Sequence, residues 1–282
     1  MKTVLLIKQV PETSSAQIDE ATGTVKRSAA DAIVNPLDLY AVETAILLRD
    51  HFGGTITAFS MGPPGAIDAL REVIAMGVDH GVLISDRAYA GSDTWATSNI
   101  LAHAIRSELP KFDLILCGQR ATDGETGQVG PETAAALSVP VITYVSKIDE
   151  TSEPPDESLS VDPKATSRNR TLHVSRTVEG GVELIRVSFP ALLTIDKTNV
   201  SPRLPTLSGK IKAKTAKIKI LSQNELELPL DQIGLAGSPT SIVRIFRPQW
   251  SRSGQIEQAS NDESLSAALT ALDSMLDSKG LS

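Results

Sequence analysis

Residues that form disulfides and metal sites are scarce in this sequence. The 282 residues include a single cysteine, Cys117, which excludes an internal disulfide. The four histidines, His51, His80, His103 and His173, are scattered and form no cluster with the cysteine. A structural zinc site needs about four closely spaced nitrogen or sulfur ligands, so we expect no metal site.

Long apolar runs and a broad basic surface are also missing. No stretch of about 18 apolar residues occurs, so we expect no segment that spans a bilayer. The net charge of −7 and the isoelectric point near 5.2 argue against nucleic acid as a partner, because phosphate backbones require a wide positive surface. The N-terminal run MKTVLLIKQV is too short for a signal peptide, and we therefore expect a cytoplasmic protein.

The residue sets of hydrolytic and nucleophilic enzymes are absent as well. The sequence has no GxSxG turn, no cysteine and histidine pair, and no acidic pair placed for acid and base catalysis. Cys117 lies inside an apolar run, which favours a core position over a nucleophile. We expect no catalysis by this chain alone, and any redox chemistry would belong to a bound cofactor.

Short apolar runs alternate with helical patterns through the first half of the chain. Periodicity predicts buried strands at Thr3–Ile7, Thr55–Ser60, Gly81–Ser85 and Asp113–Gly118. Helices are predicted between them, over Leu37–Asp50, around Ala66–Ile74 and around Ala96–Ile105. The alternation indicates an α/β fold, with a doubly wound parallel sheet covered by helices on both faces. Ligands of such sheets bind beyond the carboxyl ends of the strands.

The pattern changes after Pro140. Further strands are predicted at Val141–Ile148, Arg170–Val178 and Val182–Phe189, and they suggest an antiparallel elaboration of the sheet. We place one nucleotide-binding domain at residues 1–195, with a mobile acidic loop at 149–169 that is too polar to bury much surface. The long first connection contains Thr22-Gly23, which favours a small hairpin.

The most informative stretch is GQRATDGETGQVGPE, from Gly118 to Glu132. Gly124, Gly127 and Gly130 allow positive φ and close backbone approach, so several N–H groups can face one anion. The helix that follows adds its N-terminal dipole. The stretch is neither a Walker A motif nor a GxGxxG fingerprint. It predicts a phosphate site, and the alternative is a tight glycine-rich connection without a ligand.

Three other loops would meet this stretch at the same edge of the sheet. Residues 35–38 open the first helix, 60–65 open the second, and 85–94 precede the third. Asn35 also has a purely structural explanation, as a helix cap with Pro36 in the first turn. The loop at 85–94 is longer than its turn requires, and it offers Arg87 as a positive charge.

A basic segment, RLPTLSGKIKAKTAKIK, covers Arg203–Lys219 with six basic residues and no acidic one. It is either a solvated lysine-rich surface or a docking arm. A final amphipathic helix is predicted at Glu263–Leu276. Residues 196–282 contain too few apolar residues to form a hydrophobic core of their own. We therefore expect them to form a partner-docking loop and a C-terminal arm that packs on another subunit.

Several segments together resemble the β subunit of electron-transfer flavoproteins. These are VLLIKQVPET, NPLDLYAVETAILLRD, IAMGVDHGVLISDRA, DLILCGQRATDGETGQVGPETAAALSVPVITYVSKI and LPTLSGKIKAK. The resemblance covers nearly the whole chain in order, and GQRATDGETGQVGP is its most specific part. It implies a Rossmann-like subunit of a heterodimer, whose α subunit carries an electron-shuttling FAD.

The resemblance also implies a set of cofactor-binding residues. In the family the matching loops surround AMP in simple carriers, whereas electron-bifurcating members hold the ADP part of a second FAD there. The implied positions are Leu6, Lys8, Asn35, Asp38, Ser60, Met61, Gly62, Gln119, Ala121, Asp123, Gly124, Glu125, Thr126, Gly127, Gln128, Val129 and Gly130.

Three further segments look more like the bifurcating members than the simple carriers. They are MGPP at Met61–Pro64, ISDRAYAGSDTWATS at Ile84–Ser98 and AGSPT at Ala236–Thr240. This implies that an FAD bound to this chain takes a hydride from NADH and sends electrons to the α-subunit flavin and to ferredoxin or flavodoxin. Arg87, Thr94 and Thr97 are expected near the flavin ring. The alternative is a non-bifurcating carrier with structural AMP that relays electrons from or to a dehydrogenase.

The family's partner-recognition loop matches Pro202–Lys214. Leu207 corresponds to the apolar residue that enters a pocket on an acyl-CoA dehydrogenase, and an apolar anchor surrounded by charge is typical of an interface hot spot. Ser208 and Gly209 stand where the family usually has proline and a polar residue, and Lys210 where an aliphatic side chain is common. The resemblance thus implies an acyl-CoA dehydrogenase-type partner.

Overall fold

A computed structural model describes residues 1–12, 17–18, 25–26, 32–149, 171–198, 200–241, 256 and 258–280 of the chain. The chain divides into two compact units, Met1–Val243 and Arg244–Ser282. The predicted site residues and Leu207 all fall within the first unit.

The first unit is built on a nine-stranded sheet. Its strands are β1 Lys2–Leu6, β6 Thr55–Met61, β7 His80–Ile84, β8 Leu114–Gly118, β9 Val141–Asp149, β10 Thr171–Val178, β11 Gly181–Ser188, β12 Ala191–Ile195 and β13 Lys219–Leu221. Two short antiparallel pairs form separate sheets: β2 Gln9–Pro11 with β5 Ala32–Val34, and β3 Gln17–Ile18 with β4 Val25–Lys26. In the large sheet the order is β11-β10-β9-β12-β8-β1-β6-β7-β13. The strands from β9 to β13 in that order are parallel, and β10 and β11 extend them antiparallel.

Helices cover both faces of this sheet. They are α1 Asp38–Phe52, α2 Ile67–Met76, α3 Thr94–Glu108, α4 Val129–Leu137, α5 Leu207–Thr215 and α6 Gln223–Leu226, and the second unit contributes α7 Asp262–Ser278. Side chains of α1, α2 and α5 share one apolar core with Leu5 of β1. Side chains of α3, α4 and α6 share another core with Val4 and Leu6. Because successive strand residues enter opposite cores, the central strands carry buried, mostly apolar residues on both faces rather than alternating apolar and polar ones.

The doubly wound fold and its first four strands are confirmed, with bounds that differ by a few residues. Strands are also confirmed in the predicted places after Pro140, although β9 belongs to the parallel part through its pairing with β12. The pairing of β3 with β4 confirms the hairpin, whose centre Thr22-Gly23 lies outside the described residues. The acidic loop at 149–169 also lies outside them, apart from Asp149 at the end of β9.

Strand β12 is a central strand that the sequence patterns do not predict. It lies between β8 and β9 and pairs in parallel with both, with Leu192 opposite Ile115 and Val141. Only two residues separate β12 from β11, so the sequence pattern does not distinguish the two strands from one continuous strand. Pairing between segments distant in the sequence decides its position, and local periodicity does not encode such pairing.

The basic segment contains a helix and a strand that its composition does not predict. Helix α5 packs closely on α2, because a Cβ at Gly209 would lie 2.0 Å from the carbonyl oxygen of Ala75. Strand β13 pairs with β7 at the end of the sheet. The buried residues Ala213 and Leu221 attach these elements to the two cores. The basic segment has many lysines and few apolar residues, so the apolar periodicity that would predict a helix or a strand is weak.

Helix α7 in the second unit is amphipathic, as the sequence predicts. Leu265, Leu269, Leu272 and Met275 are about half exposed along it, at the spacing of one helical face. Among the described residues, no helix is both long enough and apolar enough to cross a membrane.

Candidate functional site

Loops predicted to bind a cofactor meet at one edge of the sheet. Strands β8, β1, β6 and β7 are parallel neighbours, so they end on the same side, at Gly118, Leu6, Met61 and Ile84. We call this side the carboxyl edge. Helix α1 also starts there, because its first residue, Asp38, contacts the ends of two of these strands. The carboxyl edge is where open parallel sheets bind ligands.

Asp38 connects β1 to β8. Its Oδ2 accepts a hydrogen bond from the N–H of Lys8 at 2.8 Å, and its Oδ1 accepts one from the N–H of Gly118 at 3.2 Å. A Cβ at Gly118 would lie 2.5 Å from Oδ1, so this approach requires glycine. Burial raises the pKa of Asp38 to about 7, against the opposing effect of its hydrogen bonds with Lys8, Asn35 and Gly118.

Asn35 attaches the glycine-rich stretch to the core. It is 1% exposed, its Nδ2 donates to the carbonyl oxygen of Arg120 at 2.9 Å, and its Oδ1 accepts from the N–H of Thr122 at 3.2 Å. Helix α1 begins at Asp38, and its cap residue is Leu37 without a side-chain hydrogen bond. The explanation of Asn35 as a helix cap is therefore wrong, because its amide instead satisfies the backbone of the loop at 119–128.

Residues 119–128 form an open loop before α4. Glu125 and Gly127 have φ values of 53° and 65°, so the backbone adopts the left-handed region at both positions. Gln128 is the N-cap residue of α4, and its side chain accepts no hydrogen bond from the N–H groups of the first helical turn. A Cβ at Gly124 would meet nothing within 4 Å. Uncapped N–H groups beside open space are suited to an anion.

Two ion pairs place cations beside this loop. Lys8 Nζ lies 2.8 Å from Asp123 Oδ1, and Arg120 Nε lies 3.9 Å from Glu125 Oε1. All four side chains are partly exposed, so water screens both pairs and each adds little to stability. A phosphate group near the loop could therefore replace these carboxylates as the partner of Lys8 and Arg120 with little loss of stability.

Gly130 has a structural role in packing. A Cβ there would lie 2.8 Å from Cys117 Sγ and 3.1 Å from Thr194 Cγ2, so glycine lets α4 approach β8 and β12. Cys117 is buried, which confirms its predicted core position. Burial, with a smaller contribution from the charge of Asp38, raises the pKa of the Cys117 thiol. The thiol therefore stays protonated.

Ser60 carries a buried hydroxyl group close to the carboxyl end of β6. The residue is 0% exposed, and its Oγ has no hydrogen-bond partner within the described part of the chain. A buried hydroxyl without a partner costs about 1–3 kcal/mol, and the hydroxyls of Thr3 and Tyr89 carry the same cost. Leu6 is buried in the apolar core, and Met61 and Val129 pack against it while partly buried. Gly62 donates its N–H to the carbonyl oxygen of Ile84 at 3.1 Å.

The loop after β7 is fixed by Asp86. Its Oδ1 accepts from the N–H of Ala88 at 2.9 Å and its Oδ2 from the N–H of Gln223 at 3.0 Å, so it joins the loop to α6. These two backbone hydrogen bonds, that from Ala88 first, lower the pKa of Asp86. Arg87 starts a 3-10 turn, Arg87–Tyr89, and its side chain is exposed.

Asp93 joins the end of the same loop to residues 234–240. Its Oδ1 accepts from the N–H of Ala96 and caps α3. Its Oδ2 accepts from the N–H of Thr240 at 2.9 Å and from the Thr240 hydroxyl at 2.8 Å. The hydroxyl of Ser238 donates to the carbonyl oxygen of Gly91 at 3.3 Å. Two of the segments that resemble bifurcating members, Ile84–Ser98 and Ala236–Thr240, are thus in direct contact.

Helix α3 begins beside the glycine-rich stretch. The hydroxyls of Thr94 and Ser98 donate to Glu132 in the first turn of α4, each at 3.2 Å. Thr97 is half-buried one turn into α3. Thr94 is therefore close to the loop at 119–128. The sequence patterns predict no individual hydrogen-bonding role for Asp86, Asp93 or Glu132, although an aspartate before a helix and a glutamate in its first turn are recognisable capping signals.

Leu207 lies at the start of α5 and is 77% exposed. The hydroxyl oxygen of Thr206 accepts from the N–H of Gly209 at 3.0 Å and caps this helix. The side chain of Leu207 is therefore held on the surface by an ordered helix start.

A doubly wound parallel sheet whose loops meet at its carboxyl edge is typical of a class of α/β proteins that bind ligands beyond their strands. Within that class, residues 22–226 match the electron transfer flavoprotein domain. This chain belongs to the electron transfer flavoprotein family, and its relatives place it with the β subunits.

Three relatives illustrate that placement. The chain is 41% identical over 257 residues to an electron transfer flavoprotein subunit beta from Thermoanaerobacterium thermosaccharolyticum, covering 91% of this chain and 92% of the relative. It is 39% identical over 269 residues to the acryloyl-CoA reductase electron transfer subunit gamma of Anaerotignum propionicum, covering 93% and 94%. It is 38% identical over 257 residues to the caffeyl-CoA reductase-Etf complex subunit CarD of Acetobacterium woodii, covering 91% of each. The resemblance to electron-transfer flavoprotein β subunits is confirmed.

Proposed function

We propose that this chain is the β subunit of an electron-bifurcating flavoprotein. It binds FAD at the carboxyl edge and pairs with an α subunit that carries a second FAD. The heterodimer takes electrons from NADH and divides them between ferredoxin or flavodoxin and an acyl-CoA dehydrogenase-type enzyme. When bound, the flavin would supply the hydride and single-electron chemistry, for which this chain has no residues of its own.

One observation carries the nucleotide assignment, namely the loop at 119–128 that Asn35 holds in front of the uncapped N-terminus of α4. Its backbone N–H groups would bind the diphosphate, with Lys8 and Arg120 supplying positive charge. The buried hydroxyl of Ser60 offers one further polar contact at the same edge. These features fit a nucleotide phosphate better than a connection without a ligand, because that alternative leaves Ser60 and the helix terminus unexplained.

The loop at 85–94 would surround the flavin ring. Contacts of Asp86 and Asp93 fix it at both ends, so Arg87 and the first turn of α3 have defined positions. An exposed guanidinium such as that of Arg87 would stabilise negative charge on a neighbouring ring, and Thr94 would offer a hydroxyl. The contact between the Ile84–Ser98 and Ala236–Thr240 segments supports the bifurcating assignment, because both resemble that subgroup.

The relatives support the choice of partner. One of them is named as the electron transfer subunit gamma of an acryloyl-CoA reductase, and another as a subunit of a caffeyl-CoA reductase-Etf complex. We propose that this chain likewise docks on an acyl-CoA dehydrogenase-type enzyme, through Leu207. We further propose that residues 196–282 form the docking loop and the arm on the α subunit, with the apolar face of α7 as the arm's contact surface.

A matched pair of variants tests the nucleotide site. Gly124→Glu and Gly180→Glu add the same charge, and a Cβ at either glycine would meet nothing within 4 Å. Both variants should fold. We expect Gly124→Glu to lose at least about tenfold in nucleotide affinity, because a carboxylate near the phosphates repels them. Gly180→Glu, in the turn between β10 and β11, should bind normally. Equal nucleotide retention by the two variants, measured on purified heterodimer, would rule out the assignment.

A further inference from the structure

The segment at residues 203–215 carries three large apolar side chains on the surface. Leu204, Leu207 and Ile211 are 85%, 77% and 62% exposed, and we call them the apolar ridge. Exposed lysines accompany the ridge, at positions 210, 212 and 214. Three exposed apolar side chains within eight residues are costly in water unless another surface covers them.

One end of this segment is fixed to α1 by Arg203. Its Nε and Nη2 donate to the two carboxylate oxygens of Glu43, each at 2.8 Å, and its backbone N–H donates to Oε2 at 3.1 Å. Glu43 is 5% exposed, so this is a bidentate pair with a largely buried carboxylate. The pairing with Glu43 raises the pKa of Arg203. Such geometry fixes the direction of the chain one residue before Leu204.

The other end is fixed to α2. Arg71 Nη1 donates to the carbonyl oxygens of Ala213 at 2.6 Å and Lys214 at 3.1 Å, close to the C-terminus of α5. Between the two ends, Gly209 lies against the carbonyl oxygen of Ala75. The ridge is therefore held between two arginine contacts on helices α1 and α2.

We propose that Arg203 and Arg71 are positioning residues that preorganise the apolar ridge for a redox partner with an apolar pocket bordered by carboxylates. The inference rests on the proposed docking function, and it adds which residues increase the affinity of this chain for its redox partner. Neither arginine need touch the partner. A ridge already ordered before binding loses less conformational freedom on docking, which improves affinity without any new contact. The exposed lysines near the ridge, which belong to the basic segment, favour an acidic border.

Charge-conserving variants test this inference. Arg203→Lys and Arg71→Lys keep the net charge and every ridge side chain, but they lose the guanidinium fork. Arg106→Lys is the matched control, because Arg106 also donates to a backbone carbonyl oxygen, that of Ala136, far from this segment in sequence. Each variant is purified as the heterodimer and assayed for electron transfer to an acyl-CoA dehydrogenase from the same organism, with Leu207→Ala as the reference. Amide hydrogen exchange of residues 207–215 is measured in parallel.

We expect Arg203→Lys and Arg71→Lys to raise the KM for the dehydrogenase by roughly fivefold to tenfold, with kcat unchanged. Exchange in α5 should become faster, and Arg106→Lys should change neither quantity. An unchanged KM in both arginine variants, with Leu207→Ala impaired, would overturn the positioning role alone. A fall in kcat without a rise in KM would overturn it too. An unchanged KM in Leu207→Ala would instead refute the docking function itself.

Discussion

Asp38 is a carboxyl group buried at the place where β1, β8 and α1 meet. Its carboxylate oxygens accept hydrogen bonds from the backbone N–H groups of Lys8 and Gly118, and no cation in the described part of the chain forms an ion pair with it. Burial therefore dominates, and the folded state favours the protonated form. The residue holds together two strands that lead into the proposed nucleotide site.

This burial predicts a pH-dependent stability. The pKa of Asp38 is about 7 in the folded state against an ordinary value of 3.8, so between these values the folded state retains a proton that the unfolded chain loses. The free energy of unfolding should fall as pH rises through this window, by at most roughly 1.4 kcal/mol per pH unit. Denaturant titrations across the window should show a flatter dependence for Asp38→Asn. Exposed Asp231→Asn serves as the control, and identical slopes for Asp38→Asn and the unaltered protein would disprove the claim.

The sequence identifies the three glycines of the glycine-rich stretch, but it does not show which structural constraint requires glycine at each position. Gly127 has a positive φ, Gly130 makes room for Cys117, and Gly124 faces open space. The spacing of three glycines indicates close backbone approach in general. Which neighbour approaches each glycine depends on residues distant in the sequence, such as Thr194 beside Gly130.

Among the structural elements, the loop at 85–94 depends on a segment more than a hundred residues away. Asp93 caps α3 with one oxygen and bonds Thr240 with the other. Ser92 Oγ also accepts from the N–H of Gly234 at 3.1 Å. The first turn of α3 and residues 234–240 therefore form one hydrogen-bonded group at the carboxyl edge.

Removal of the Thr240 hydroxyl should loosen this group. Thr240→Val keeps the side-chain shape and the backbone N–H bond to Asp93 but deletes the bond at 2.8 Å. We expect faster amide hydrogen exchange at residues 234–240 and a loss of about 1 kcal/mol or less in the free energy of unfolding. Thr177→Val, at an exposed position of β10, makes the same chemical change elsewhere. If both variants exchange alike at residues 234–240, the contact is unimportant.

Helices and strands with a strong local sequence pattern are predicted, whereas those that depend on long-range contacts are not. Strands β1, β6, β7 and β8 are mostly apolar and are separated by clear helical patterns, so periodicity identifies them. Strand β12 and helix α5 depend on pairing with β8 and packing on α2, which short patterns do not encode. The same limit applies to the site. Motifs identify the loop at 119–128, whereas the function of Asn35 in holding it requires the folded chain.

On the scale of the whole molecule, the chain is a scaffold that presents four loops at one edge of a rigid sheet. Its two apolar cores lie on opposite faces of that sheet. Within the described residues, no cluster of histidine, cysteine, aspartate or glutamate could hold a metal ion. We propose that the carboxyl edge binds FAD, and the proposed bifurcation depends on the identity of this bound group.

Counting cofactors tests that claim most directly. The chain is purified together with its α subunit, the heterodimer is denatured, and the released FAD and AMP are quantified by chromatography per heterodimer. We predict two FAD and no AMP, because the loop at 119–128 would hold the ADP part of one FAD while the loop at 85–94 surrounds its ring. One FAD with one AMP would contradict the bifurcating assignment and identify a simple electron carrier.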